Sequence, residues 1–189
     1  MDTKTPLAKP DPIATWHAEH VYFSQLLSLL HKQVDVFHTG QRPNYELMLD
    51  IISYLRDYSD RFHHPREDVA FARLAKRCPD LQPALARLSQ EHRVIAHAGE
   101  TLLGYLQAIL DDALVPREQV EAAAATYLVY YRNHIATEEG DVLARAASNL
   151  TREDWEAVKA AAPPGPDPLF GPEPDKRYRD LRRQIALES

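Results

Sequence analysis

The sequence contains one cysteine, Cys78, so no internal disulfide is available and no CxxC motif exists. Glycine is nearly as scarce, at six in 189 residues, which leaves no phosphate-cradling glycine loop. No run of alternating β-branched residues is bounded by turns, so a sheet is not expected. No apolar stretch reaches the roughly 18 residues of a membrane span, and MDTKTPLAKPDP has no apolar signal core. A basic stripe is also missing. The formal charge of −6 is spread along the chain, with nothing to attract a phosphate backbone. HExxH, GxSxG and the Glu-x-x-His of ferritin-like oxidases are absent. These absences predict a soluble cytoplasmic protein that binds neither nucleic acid nor membrane.

Hydrophobic residues make up 44% and charged residues 26%, the proportions of an ordinary globular chain. What they form is set by their spacing. After Asp11 and Pro12, a cap and a first helical position, Ile13, Trp16, His20, Phe23, Leu27, Leu30, Val34 and Phe37 step by three and four residues. Leu81, Leu85, Leu88, His92, Ile95, Gly99, Leu102, Leu106 and Ile109 repeat the pattern. A second helix starts near Pro43 and a fourth near Pro116, the latter carrying Val120, Ala124, Tyr127, Tyr131, His134, Glu138 and Val142. The breaks HTGQRP, KRCPD and LDDALVP are short, and short links make consecutive helices antiparallel neighbours. The expected fold is all-α, an up-down-up-down antiparallel four-helix bundle over residues 1–150. Residues 151–189 are expected to add a short helix with a Thr151–Asp154 capping box, a Pro-rich crossing and a tail helix. Leu169, Phe170 and Tyr178 would pin that tail to the bundle.

A histidine interrupts each apolar stripe. His20 and His63 are 43 residues apart and His92 and His134 are 42 apart. Each first member follows a glutamate, Glu19 or Glu91, and each second member precedes a glutamate by four, Glu67 or Glu138. The chain thus reads as two similar helix pairs, each delivering His, His and Glu. Residues at i and i+4 lie on one face a turn apart, so an imidazole and a carboxylate from successive turns reach one ion. Four imidazoles and two carboxylates suit iron, manganese or zinc. Burying two glutamates without cations costs several kcal/mol apiece, on the order given by ion desolvation, and two carboxylates can bridge a cation pair. A binuclear centre at His20, His63, Glu67, His92, His134 and Glu138 follows. In DRFHHPREDVAF, His64 and Asp68 fall about 100° from the inward pair, behind the ligands or exposed, and Pro65 is expected to kink the helix.

Glu19-His20, HHPRED, Glu91-His92 and HIATEE together resemble the hemerythrin-like proteins, also called the HHE cation-binding domain, over roughly residues 11–148. The tail is similar to that of stand-alone bacterial members. The resemblance implies a non-haem centre of two Fe ions, oxo- or hydroxo-bridged. His20, His63, His92 and His134 would be its terminal ligands, and Glu67 and Glu138 its bridges. It favours iron over zinc, which spacing alone leaves open. One departure stands out: oxygen carriers place a second histidine four residues along the third helix, where this chain has Ala96. Water, Glu100 or a nearby tyrosine then fills the position, or both irons are accessible. The leading expectation is a protein that binds or senses a diatomic ligand, O2 or NO. The alternatives are an enzyme acting on peroxide or NO, an iron-cluster repair protein, or an iron or redox sensor read by a protein partner through the C-terminal tail. A structural zinc site is the plainest reading.

Other residues carry plainer expectations. His17 is taken as a packing residue, with a place behind His20 as the alternative, His31 and His38 as ordinary residues too far along the helix for the same metal, and His97 as a surface residue; Glu19 and Glu91 are taken as solvated charges, with orientation of the imidazoles as the alternative. Tyr127, Tyr130 and Tyr131 are taken as core fillers, with a hydroxyl aimed at a bound diatomic as the sharper alternative. Cys78 is expected at an exposed helix end.

Overall fold

The structure, a computed structural model, describes residues 11–162 and 167–188, and among them there are helices and no strand. The opening residues 1–10 and part of the Pro-rich crossing, 163–166, lie outside this set, as does the side chain of His38. Helix α1 spans Pro12–His38 and starts as expected: the Asp11 carboxylate accepts the Ile13 N–H at 3.1 Å, and Pro12 occupies the first turn. It stops at Thr39, followed by Gly40 at φ 73°. Asn44 caps the next rod by accepting the Leu47 N–H at 3.0 Å. That rod is α2 (Tyr45–Tyr54), a π-helical stretch (Leu55–His63) and α3 (His64–Arg77) in unbroken succession. After a short 3₁₀ turn come α4 (Gln82–Leu110) and then α5 (Arg117–Thr137). A second π-helical stretch (Glu138–Val142) runs directly from α5 into α6 (Leu143–Asn149). Helices α7 (Arg152–Ala161) and α8 (Arg179–Glu188) complete the chain.

An irregularity lies just upstream of Pro65, as a π-helical turn. The His64 N–H reaches back five residues to the Ser59 carbonyl, and the Leu143 N–H does the same to Glu138. Each π stretch adjoins one of the paired histidine-glutamate steps, and these inserted turns change which residues face inward.

Packing partners are α4 with α5, α2 and α3, and α1 with α5 and α2. The buried apolar residues form two blocks. One gathers Phe23 to Phe37, Leu47 to Tyr58, Ile95 to Leu106 and Val120 to Tyr131. The other gathers Trp16, Ala70 to Leu81, Leu85, Leu88, Val142 to Leu150 and Val158. Residues 20, 63, 67, 92, 134 and 138 lie at the changeover from one block to the other on each rod, so the interior has a polar layer sandwiched between apolar ones. Where α4 meets α5, a Cβ on Gly99 would stand 3.0 Å from Tyr127 Cε2, so only glycine permits this approach without displacing the ring.

The tail is held by aromatic contacts. Phe170 stacks on Tyr22 at 4.0 Å, Tyr178 meets Tyr54 edge-on at 5.7 Å, and the Tyr54 hydroxyl donates to Asp167 at 2.9 Å. Leu169, Tyr178 and Leu181 are buried in the first block. The capping box at α7 is present in both directions, and Asp154 additionally pairs with Arg73 at 2.9 Å and Arg77 at 2.7 Å. Cys78 is buried, contrary to expectation, because the second apolar block closes over the end of α3.

Candidate metal centre

The six side chains picked out by spacing converge. The Nε2 atoms of His20 and His63 lie 3.0 Å apart, and those of His92 and His134 lie 3.0 Å apart. Between these two pairs lie the carboxylates of Glu67 and Glu138, both 0% exposed. Glu67 turns Oε1 toward His63 at 2.8 Å and His20 at 3.4 Å, and Oε2 toward His92 at 3.4 Å. Glu138 turns Oε2 toward His20 at 3.3 Å and Oε1 toward His134 at 3.2 Å. Each carboxylate therefore spans both imidazole pairs.

Chemically this is an arrangement built for cations. All four oxygens of Glu67 and Glu138 are buried with no partner other than the imidazole Nε2 atoms, an expensive condition unless those nitrogens carry protons or a cation is bound. One donor atom from each of His20, His63 and Glu67 lies within 4.8 Å of the others, and the same holds for His64, Glu67, His92 and His134. Donors on opposite sides of one ion stand about 4.2 Å apart at metal–nitrogen bonds near 2.1 Å, so these separations are on the scale of a single coordination sphere.

The other imidazole nitrogen is held in every case by a carboxylate. His63 Nδ1–H donates to Glu19 at 2.6 Å, His20 to Glu139 at 2.7 Å, His92 to Asp68 at 3.1 Å and His134 to Glu91 at 3.3 Å. This fixes the tautomer and leaves Nε2 pointing into the centre. The pattern follows the duplication: the acid before the first histidine of a pair holds the second histidine, and the acid after the glutamate holds a histidine of the other pair. Glu19 and Glu91 are thus not solvated charges. The residue one place from an inward histidine points about 100° away, and at Glu19 and Glu91 that direction faces the adjoining rod instead of water. Asp68, though exposed, is behind His92 as one of its two expected placements required.

Charge in the metal-free layer balances internally. Burial disfavours ionised Glu67, but His63, His20 and His92 outweigh it and hold Glu67 well below the carboxylate range. Burial likewise opposes protonation of the histidines, yet Glu67 and Glu19 push His63 up to about 10, and Asp68 with Glu67 pushes His92 up to about 9. His20 is raised as well, with Glu67 prevailing over burial. These protons occupy the nitrogens a cation needs.

Several expectations about the surroundings change. His64 is 4% exposed and lies behind the ligand histidines, one of its two expected placements. Its ring stacks on His92 at 4.1 Å, its Nδ1 lies 3.1 Å from Asp60 and its Nε2 lies 3.2 Å from Ser59 Oγ. About 100° from His63, it faces the rods that carry His92 and His134 instead of water. Burial, with the neighbouring His92, keeps His64 well below its ordinary value and so neutral, while burial pushes Asp60 up to about 7. His17 does not pack; it is exposed and donates to Glu139 at 2.9 Å, extending the His20 support by one residue. His31 and His97 are exposed as expected. Glu100 is exposed on the face of a groove with Arg56 and does not fill the position beside Ala96. Tyr127 and Tyr131 are buried and Tyr130 is exposed; the Tyr131 hydroxyl is engaged by Ser59 Oγ at 2.5 Å.

Apolar rings close the centre on its flanks: Phe23 meets His63 edge-on at 5.0 Å, Trp16 meets it at 6.2 Å and Phe71 lies 5.8 Å from His92. Outside α1 and α5 a groove of about 590 Å³ reaches His20, Glu139 and Ile135. Among the described residues, no helix is long and apolar enough to cross a membrane. No curated protein and no solved structure matches the chain. The family model for the hemerythrin HHE cation binding domain does match, over residues 11–146, a span that contains every converging residue described above. The chain belongs to the hemerythrin HHE cation-binding domain family.

Proposed function

We propose that this chain is a di-iron protein whose centre binds or senses a small ligand such as O2 or NO. The observation that carries the proposal is the set of four buried oxygens on Glu67 and Glu138 faced only by imidazole nitrogens, each carboxylate directed at both imidazole pairs. In this reading His20 and His63 would hold one iron, His92 and His134 the other, and Glu67 and Glu138 would each serve both. An antiparallel four-helix bundle is the matching architecture. It is supported by contact order: Phe37 meets Tyr45 while His20 meets His63, and Gly99 meets Tyr127 while His92 meets His134.

Bound iron would supply reversible electron transfer and an open coordination position for a diatomic molecule. The chain's own contribution is selection and protection. Glu19, Glu139, Asp68 and Glu91 keep the Nε2 lone pairs aimed inward. Trp16, Phe23 and Phe71 keep bulk water from the layer. The groove along α1 reaches His20 and Glu139 at the edge of the layer, the side from which a small molecule would approach.

The test is metal analysis of purified protein, then anaerobic reduction and stepwise addition of O2, NO and peroxide with visible spectra. Two irons per chain and a reversible ligand-dependent spectrum are expected. Continuous peroxide consumption would assign an enzyme instead, and a chain that takes up no iron after anaerobic loading would refute the proposal.

A further inference from the structure

We infer that the outward face of α5 is the surface on which a second copy of this chain docks, the two α5 helices packing antiparallel about a two-fold axis at Ala125. This face lies on the side of α5 away from His134 and Glu138, and the inference does not depend on what the centre holds.

The first ground is a shortage of charge where solvent should favour it. Asp, Glu, Lys and Arg make up 26% of the chain, so the 16 residues 122–137 of α5 would ordinarily carry about four of them; they carry one, Arg132. The outward positions are Ala122, Ala125, Thr126, Val129, Asn133 and Ala136, all exposed. The adjoining flanks are similar. Among the described residues six large apolar side chains are exposed, and four of them, Val21, Val94, Val129 and Tyr130, belong to α1, α4 and α5. Val21 lies on the flank of α1 that forms a groove with Ile135 and Glu139. Val94 is one turn from Glu91, whose carboxylate meets His134, so it lies on the flank of α4 that faces α5. Apolar groups gathered on one charge-poor face mark a protein contact. The 21 residues of α5 run about 32 Å, and three adjacent helices make the face about 20 Å across. That is on the order of the 600–1,000 Å² each partner contributes to a standard stable interface.

The second ground says which partner fits. Arg132 donates to the Leu27 carbonyl at 3.3 Å and has no carboxylate partner among the described residues. Glu118, exposed in the first turn of α5, has no cationic partner among them either. The two are 14 residues apart, so they stand about 21 Å apart along the helix and within about 40° of one another around it. Ala125 is midway, seven residues from each. Turning a second copy end over end about Ala125 lays Arg132 against the partner's Glu118, and Glu118 against the partner's Arg132. One unmatched cation and one unmatched anion, equidistant from a small central residue, make a face complementary to itself, which is the condition a two-fold interface sets. Two chains of charge −6 repel over most of their surfaces, and this face is where they can meet.

The test is sedimentation velocity of the full chain from about 1 to 100 µM at low ionic strength, where charge pairs are least screened. The unaltered chain should sediment at twice the chain mass of 21.5 kDa. Glu118→Arg and Arg132→Glu should each raise the dimer Kd at least about tenfold, because each sets two like-charge pairs across the axis. Mixed in equal amounts, the two variants should dimerise as tightly as the unaltered chain, since both opposite-charge pairs return between unlike copies. Ala125→Glu should leave single chains across the range by burying two facing carboxylates at the axis. All three positions are exposed, so circular dichroism and metal content should match the unaltered chain. A chain that stays single to about 100 µM would overturn the inference and leave the face to a different protein. A dimer indifferent to both charge reversals, or a mixture no tighter than its components, would overturn it as well.

Discussion

Glu19→Gln removes one negative charge from behind His63 and changes almost nothing in shape. The Glu19 side chain is 8% exposed, its Oε2 lies 2.6 Å from His63 Nδ1, and its Oε1 accepts from Tyr58 at 2.8 Å and Arg66 at 3.2 Å. A charge-assisted hydrogen bond of this kind contributes about 1.5–3 kcal/mol. The glutamine can also present an N–H to Nδ1, which forces the His63 proton onto Nε2, where the metal should bind. At about 1.4 kcal/mol per decade, metal affinity on the His20/His63 side should fall by about 10- to 100-fold. Glu91 stands in the equivalent place behind His134 but at 3.3 Å, a longer and weaker bond, so Glu91→Gln should weaken its side by less than about tenfold. Competition between the protein and a chromophoric iron chelator, followed in two steps, measures both. Equal losses in the two variants, or a Glu19→Gln loss within about twofold of none, would refute the claim that these carboxylates set the imidazole tautomers.

Other expected outcomes follow from packing and protonation. In the metal-free chain His63 and His92 sit at about 10 and about 9, above the ordinary histidine value of 6.5. Their stabilising contribution is complete below that ordinary value, shrinks as pH rises above it and is gone above about 10, so Tm of the metal-free protein should fall between 6.5 and about 10. Metal affinity should rise over the same interval, and loading at pH 7 should release protons measurable in a pH-stat; a pH-independent affinity would contradict the protonated layer. Phe23→Ala should destabilise the fold by about 3–5 kcal/mol in urea unfolding, since the ring is 0% exposed and wedged against His63, Tyr54, Tyr58 and Tyr131. Gly99→Ala should lose about 1–3 kcal/mol by pressing a methyl group into the buried Tyr127 ring, and an unchanged urea midpoint would show that the ring yields freely.

The inward convergence of His20, His63, Glu67, His92, His134 and Glu138 was legible in the sequence. Three- and four-residue spacing places side chains on one helix face, and an i+4 glutamate shares the face of its histidine. The start of α1 at Asp11 and the capping box at Thr151 were legible for a related reason, because a cap is a contact between residues two or three places apart. The carboxylates behind the imidazoles were not. Whether Glu19 meets water or His63 depends on which rod packs beside it, and adjacency in sequence gives the angle but not the neighbour. The place of His64 was half legible: the 100° offset from His63 follows from helix geometry, but whether that direction meets water or the rod carrying His92 does not. Burial of Cys78 was missed because the residues that cover it come from distant parts of the chain.

The polar layer between two apolar blocks has a mechanical consequence. Greasy packing binds each end of the molecule to itself, but across its waist the rods are joined by ionisable groups that hold together through shared protons or through cations. Drawing the cations out leaves like charges facing one another at mid-height once the protons are also lost. The molecule should then loosen first at its middle, with deuterium uptake spreading from that girdle toward both ends, so that the state of the centre is written into the stiffness of the whole scaffold.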